Sequence, residues 1–233
     1  MKQNNYILNF IKVTFISLLL MATSPVRAEI KVVTTIKPLH SLIANVMDGV
    51  GEPSLIIEGS TSPHSFTLKP SHAKLLEEAD LIFWVGEGIE TFMERPLESI
   101  VKNAEVVEFM EVESIEKLKF REESIFGDHD DHDDHDDHDE DHEDHDDHAG
   151  HEGHNHGEFD AHIWLDPNNA KEMVHEIAHE LGDLDPDNKD KYEANAEATI
   201  QSLDQLINDV SKDINKDAKF VVFHDAYQYF EER

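Results

Sequence analysis

Ten histidines crowd one stretch of this chain. Residues 128–156 read DHDDHDDHDDHDEDHEDHDDH and then AGHEGHNH, which sets His129, His132, His135, His138, His142, His145, His148, His151, His154 and His156 among Asp, Glu and Gly. Neutral imidazole and carboxylate together suit divalent cations of the zinc, nickel and copper kind. Nothing apolar larger than Ala149 occurs there, so the stretch has no surface to bury against the entropy of ordering. It reads as a mobile loop carrying many weak, interchangeable metal sites. Two blander readings are an acidic spacer and a purification tag. A spacer has no reason to place His at every third residue, and a tag is neither internal nor interleaved with Asp.

Three more histidines stand at junctions between elements: His64 in STSPHSFTLKP, His162 in AHIWLDP just after the His-rich run, and His224 directly after KFVVF. Three imidazoles from separated points can converge on one ion and leave a fourth position open. His40, His72, His175 and His179 fall inside helical patterns and read as surface or packing residues. The last two form an i,i+4 pair able to chelate, and no zincin role is assigned to them.

The elements that must position these residues alternate. Residues 31–35 (KVVTT) are a β-branched strand, and Pro38 opens a helix whose Leu39, Leu42, Ile43, Val46 and Met47 recur at helical spacing. A second strand covers 54–57, and Ser71 is expected to cap a helix ending at Glu78. LIFWV, 81–85, is continuously apolar, as a strand covered on both faces is. A helix is expected from about Glu90, and a fourth strand over 105–109. This order predicts an α/β fold, a parallel sheet with helices on both faces. After the His-rich run, Asp166 caps a helix with Pro167 in its first turn and Met173, Val174, Ile177 and Leu181 on its buried stripe. One long helix follows over 187–215, with Tyr192, Ala196, Ile200, Leu203, Ile207, Val210 and Ile214 on one stripe. KFVVF, 219–223, is expected to be a strand with no companions, so the chain reads as a fragment.

Composition narrows the function. The chain has 233 residues and a formal charge of −33, and 39% of it is hydrophobic. The His-rich stretch holds fifteen Asp and Glu and no Lys or Arg, nearly half of that charge. A nucleic-acid partner is excluded on this balance, since phosphate binding needs a basic face. There is no cysteine, which removes disulfides, thiolate zinc sites and a thiol nucleophile and suits an oxidising compartment. Residues 1–28 read as a secretory signal peptide: Lys2 and Lys12 precede the apolar 13–22 run, and Val26-Arg27-Ala28 offers a cleavage site before Glu29. The alternative is a retained membrane anchor, for which the apolar run is short.

Four strings taken together carry a resemblance: TTIKPLHSLIANVMDGVG, SPHSFTLKPSHAKLLEEADLIFWVGEGIETFM, AHIWLDP and FVVFHDAYQYF. From about residue 29 to 233 the chain resembles the periplasmic zinc-binding proteins of high-affinity zinc ABC importers (ZnuA-like), within the metal-binding class of solute-binding proteins. The resemblance implies two α/β lobes joined by a long helix, with the metal in the cleft. Its domains are then a signal peptide (1–28), an N-terminal lobe (29–184) with the His/Asp-rich loop 128–156, an inter-lobe helix (185–216) and the start of a second lobe (217–233). It implies His64, His162 and His224 as zinc ligands. Pro63 stands where some zinc members carry Glu, and offers no donor. It also implies Zn²⁺ as cargo, a membrane ABC permease with a cytoplasmic ATPase as partner, and a monomer. A chain without its second lobe is expected to bind zinc less well than a complete member.

Three other functions fit part of the pattern. Three His plus water is also a catalytic zinc arrangement, although only Asp225 stands near as a general base. A periplasmic zinc or nickel storage or buffering protein would act through the His-rich loop alone. Manganese or nickel as cargo is the third, with imidazole disfavouring manganese.

Overall fold

The computed structural model describes residues 30–121, 158–215, 218–222 and 224–233. At its centre is the LIFW run, strand β3 (Leu81–Trp84), every residue of which is buried. Neighbours on both edges and helices on both faces leave no side of it for a polar residue. It pairs in parallel with β1 (Val32–Thr34), Val32 opposite Leu81, and with β4 (Glu105–Glu108), Leu81 opposite Glu105. β2 (Ser54–Leu55) lies outside β1, giving the order β2-β1-β3-β4. Right-handed crossovers put α1 (Lys37–Val46) on one face and α2 (Pro70–Glu78) and α3 (Glu94–Ser99) on the other. The parallel α/β sheet is the one expected.

Both post-insert helices join α1. α4 (Pro167–Leu184) starts as its sequence directs, with Asp166 accepting the Asn168 N–H at 2.8 Å and Pro167 in the first turn. Met173, Val174, Ile177 and Leu181 are buried on its stripe. A short turn at Pro186–Asn188 returns the chain antiparallel as α5 (Lys189–Asp213). Its 25 residues span about 38 Å at about 1.5 Å per residue. Tyr192, Ala196 and Thr199 are buried, and the Asn195 amide donates to the Val46 and Asp48 carbonyls at 2.9 Å each, closing the end of α1. Farther along, the stripe opens: Leu206 and Ile214 are exposed. No helix among the described residues is long and apolar enough to cross a membrane.

Three expectations are corrected. Residues 219–222 form no strand, and Val221 is 97% exposed. A strand is a pairing and needs a partner edge, whatever its propensity. Ser71 does not cap α2. Pro70 takes the first helical position, and His72 Nδ1 accepts the Lys69 N–H at 3.2 Å. Burial, then the nearby Lys69, holds the His72 ring below its usual pKa, which keeps that acceptor free. Glu90 opens no helix. A 3-10 turn at Thr91–Met93 precedes α3, and the fully buried Glu90 carboxylate accepts the Val85 and Gly86 N–H groups at 3.0 Å and the Thr35 hydroxyl. It thereby ties the C-terminal ends of β1 and β3, and burial pushes its carboxyl up to about 7. Gly86 permits the turn at φ +147, where a Cβ would come within 2.7 Å of Glu108 Oε1.

Residues 1–28 and the stretch 128–156, with its ten histidines, lie outside the described residues. The segments flanking that stretch are paired: Lys119 bridges Phe159 antiparallel, Phe120 N–H donates to Glu158 O and Asp160 N–H to Leu118 O at 2.8 Å.

Candidate metal centre

His64 sits in a 3-10 turn, Pro63–Ser65, in the connection leaving β2, and is exposed. His162 stands at the N-cap of another 3-10 turn, Ile163–Leu165, between buried Ala161 and Ile163, and is itself buried. Asn169 of α4 holds that turn, its amide donating to Ile163 O at 3.2 Å and Glu116 O at 2.9 Å. A close approach of Gly88 to Ala161 packs the β3 loop behind it, where a Cβ on Gly88 would fall 3.0 Å from Ala161 Cβ. His224 precedes a small turn and the four-residue α6 (Gln228–Glu231).

The fold brings these three together. Each offers a ring nitrogen, and the three atoms lie within 4.8 Å of one another. His162 Nε2 and His224 Nε2 are 3.2 Å apart, and the ring centroids stand 5.2–5.7 Å from each other. Two nitrogens each about 2.0–2.1 Å from a tetrahedral zinc are about 3.3 Å apart, so the observed separation already suits an ion. Burial, then the neighbouring His162, lowers the His224 pKa, favouring the neutral ring a metal needs.

Asp160 completes the arrangement. Its Oδ1 accepts the His162 backbone N–H at 3.0 Å and lies 2.7 Å from Nδ1. A proton on Nδ1 leaves the Nε2 lone pair facing His224, the orientation a ligating imidazole requires. Asp160 is held in turn by Tyr229. The buried phenol donates to Asp160 O at 2.6 Å and accepts the Leu118 N–H at 2.9 Å. Burial pushes that phenol up to about 12, so it stays a donor. One tyrosine thus fastens the segment bearing His224 to both paired segments beside His162.

Among the described residues no other group of three or more ligand side chains is so gathered. His40 donates to Pro53 O at 3.1 Å, and His72 serves α2. His175 and His179 stand on the outer face of α4. Residues 175–179, HEIAH, match the zincin string HExxH. Sequence reasoning also missed Asp160, two residues before His162 in DAHIWLDP, and Tyr229 in the HDAYQYF string. An Asp-x-His spacing beside a candidate ligand was the available signal.

The family model described as the periplasmic zinc-uptake complex component A, ZnuA, matches residues 32–233. The chain belongs to the ZnuA family. It is 48% identical over 213 residues to the high-affinity zinc uptake system protein ZnuA of Brucella abortus, covering 87% of this chain and 64% of that protein. The Paracoccus denitrificans ZnuA is 41% identical over 220 residues, covering 91% and 66%, and that of Yersinia pestis 34% over 219, covering 92% and 66%. The chain therefore spans about two thirds of the length of these ZnuA proteins. Its fold matches the crystal structure of ZnuA with a TM-score of 0.65 at 24% identity, over 87% of this chain and 67% of that one. A zinc-bound ZnuA deletion mutant matches with a TM-score of 0.64 at 25% identity, over 87% and 66%.

Proposed function

We propose that this chain captures Zn²⁺ in the periplasm for an ABC-type importer. His64, His162 and His224, in neutral form, hold the ion, which then passes to a membrane permease driven by a cytoplasmic ATPase. The observation that carries the reading is the convergence of three imidazoles within 4.8 Å with Asp160 behind the buried one. Zinc as cargo is supported by the names of the relatives and by the zinc in the ZnuA deletion mutant. In this reading residues 1–28 are a cleaved signal peptide, 29–184 a first lobe, 185–216 the inter-lobe helix and 217–233 the start of a second lobe. The role is binding and release by a monomer, without a chemical step. The run at 128–156 gathers zinc near the cleft at many weak sites, a function it would keep alone in a storage protein.

Proton competition tests the ligand set. Imidazole must be deprotonated to bind, so zinc affinity falls as pH drops from 7.5 to 5.5, with proton release on binding. An affinity that stays flat across that range contradicts histidine ligation.

A further inference from the structure

The antiparallel pair α4–α5 leaves a groove of about 640 Å³ between its outer faces. His175 and His179 line one wall, one helical turn apart, and Glu193 and Glu197, also one turn apart, line the other, over a floor that includes Ala178 and Ala196. Residues at i,i+4 project to the same side about 5–6 Å apart, the spacing at which two imidazoles chelate one ion. Among the described residues the side chains of His175, Glu193 and Glu197 have no hydrogen-bond or ion-pair partner. His179 Nδ1 lies 3.5 Å from Asp183 Oδ2, one turn on, and a carboxylate on that side favours a proton on Nδ1 and a lone pair on Nε2. Unlike the cleft histidines, these donors are not already gathered. All four are exposed, so packing does not fix their rotamers.

We propose that His175 and His179, with Glu193 and Glu197 opposite, form a second, exchangeable site for a first-row divalent cation of the zinc, nickel or copper class. Imidazole selects these ions over calcium and magnesium, and two carboxylates supply the remaining positions. The HExxH string here binds and does not hydrolyse. In a zincin the Glu of the string is the general base beside the metal-bound water. Here Glu176 lines a different groove, with Glu105, Glu108 and Glu180 between α4 and β4. The site is independent of the cleft and stands or falls apart from it.

Ring-nitrogen NMR of the whole chain under titration with Zn²⁺ tests this, because each histidine reports separately whatever the other sites absorb. The His175 and His179 resonances, assigned from H175A and H179A, are expected to shift together along one saturating curve. H175A then abolishes the response of His179, and the reverse. Replacing both glutamates by glutamine raises the half-saturating zinc about tenfold, equivalent to about 1.4 kcal/mol. Rings that do not shift, or that respond alike with and without each other, overturn the chelate. An unchanged midpoint in the double glutamine variant overturns the four-donor assignment. The substituted side chains are all exposed, so loss of folding does not confuse the result.

Discussion

Replacing Asp160 with asparagine separates the electrostatics of the ion from the stability of the fold. The carboxylate is 2% exposed, and its Oδ1 serves both the backbone N–H and Nδ1 of His162. With Nδ1 2.7 Å away, an ion about 2.1 Å beyond Nε2 lies at most about 7 Å from Oδ1. At an effective dielectric of 20, a divalent cation and a carboxylate at that distance attract by about 5 kcal/mol. Asparagine keeps an oxygen to accept the ring N–H, and exposed His64 and His224 open the other side of the ion to water, so part of this survives. The expected loss is about 2 kcal/mol, roughly thirtyfold in zinc Kd. The metal-free fold moves the other way. A nearly dehydrated carboxylate becomes a neutral amide, which lowers the cost of burial, so the Tm of the metal-free variant holds or rises. Zinc competition against a chromophoric chelator and thermal melts without metal read the two effects separately. Zinc affinity within about threefold of the parent would refute the electrostatic argument. A Tm that collapses along with affinity would make Asp160 a structural residue instead.

Tyr229→Phe keeps the buried ring and removes both the bond to Asp160 O and the one accepted from Leu118 N–H. It is expected to weaken zinc about tenfold, while Tyr192→Phe, which removes a buried phenol bond to Asp185 at 3.1 Å, lowers Tm and leaves zinc binding alone; equal effects on zinc would deny Tyr229 a positioning role. Glu90→Gln tests the buried carboxyl. A folded pKa of about 7 against an ordinary 4.5 means stability present below about pH 4.5 and lost as pH rises through about 7, so the parent should lose about 3 kcal/mol relative to the glutamine variant between pH 4 and 8. Parallel stability-against-pH curves from denaturant titration would show that Glu90 does not titrate there. Asn195→Ala removes both bonds to the end of α1 and should cost about 1–2 kcal/mol, read as a lower urea midpoint with unchanged slope; no shift would mean water replaces the amide.

What could be read in advance follows from how local each cause is. LIFWV was legible as the covered central strand because burial on both faces writes itself into consecutive residues. Asp166-Pro167 marked the start of α4 because its cap lies within three residues. That residues 219–222 form no strand was not legible, because a strand depends on an edge that its own residues do not contain. Glu90 looked like the polar start of a helix. Its partners at Thr35, Val85 and Gly86 meet it only after β1 and β3 pair, and only because Gly86 adopts a backbone that favours glycine. The three site histidines stood out as junction residues, yet their separations depended on tertiary structure. Tyr229 reaches across 69 residues to Asp160, a contact no local pattern encodes.

The central claim is tested most directly by competitive zinc titration of the chain lacking residues 128–156, with and without His64→Ala, His162→Ala and His224→Ala. The account predicts one tight site in the parent, lost or weakened at least a hundredfold in each single variant. Three variants that bind as tightly as their parent would contradict it.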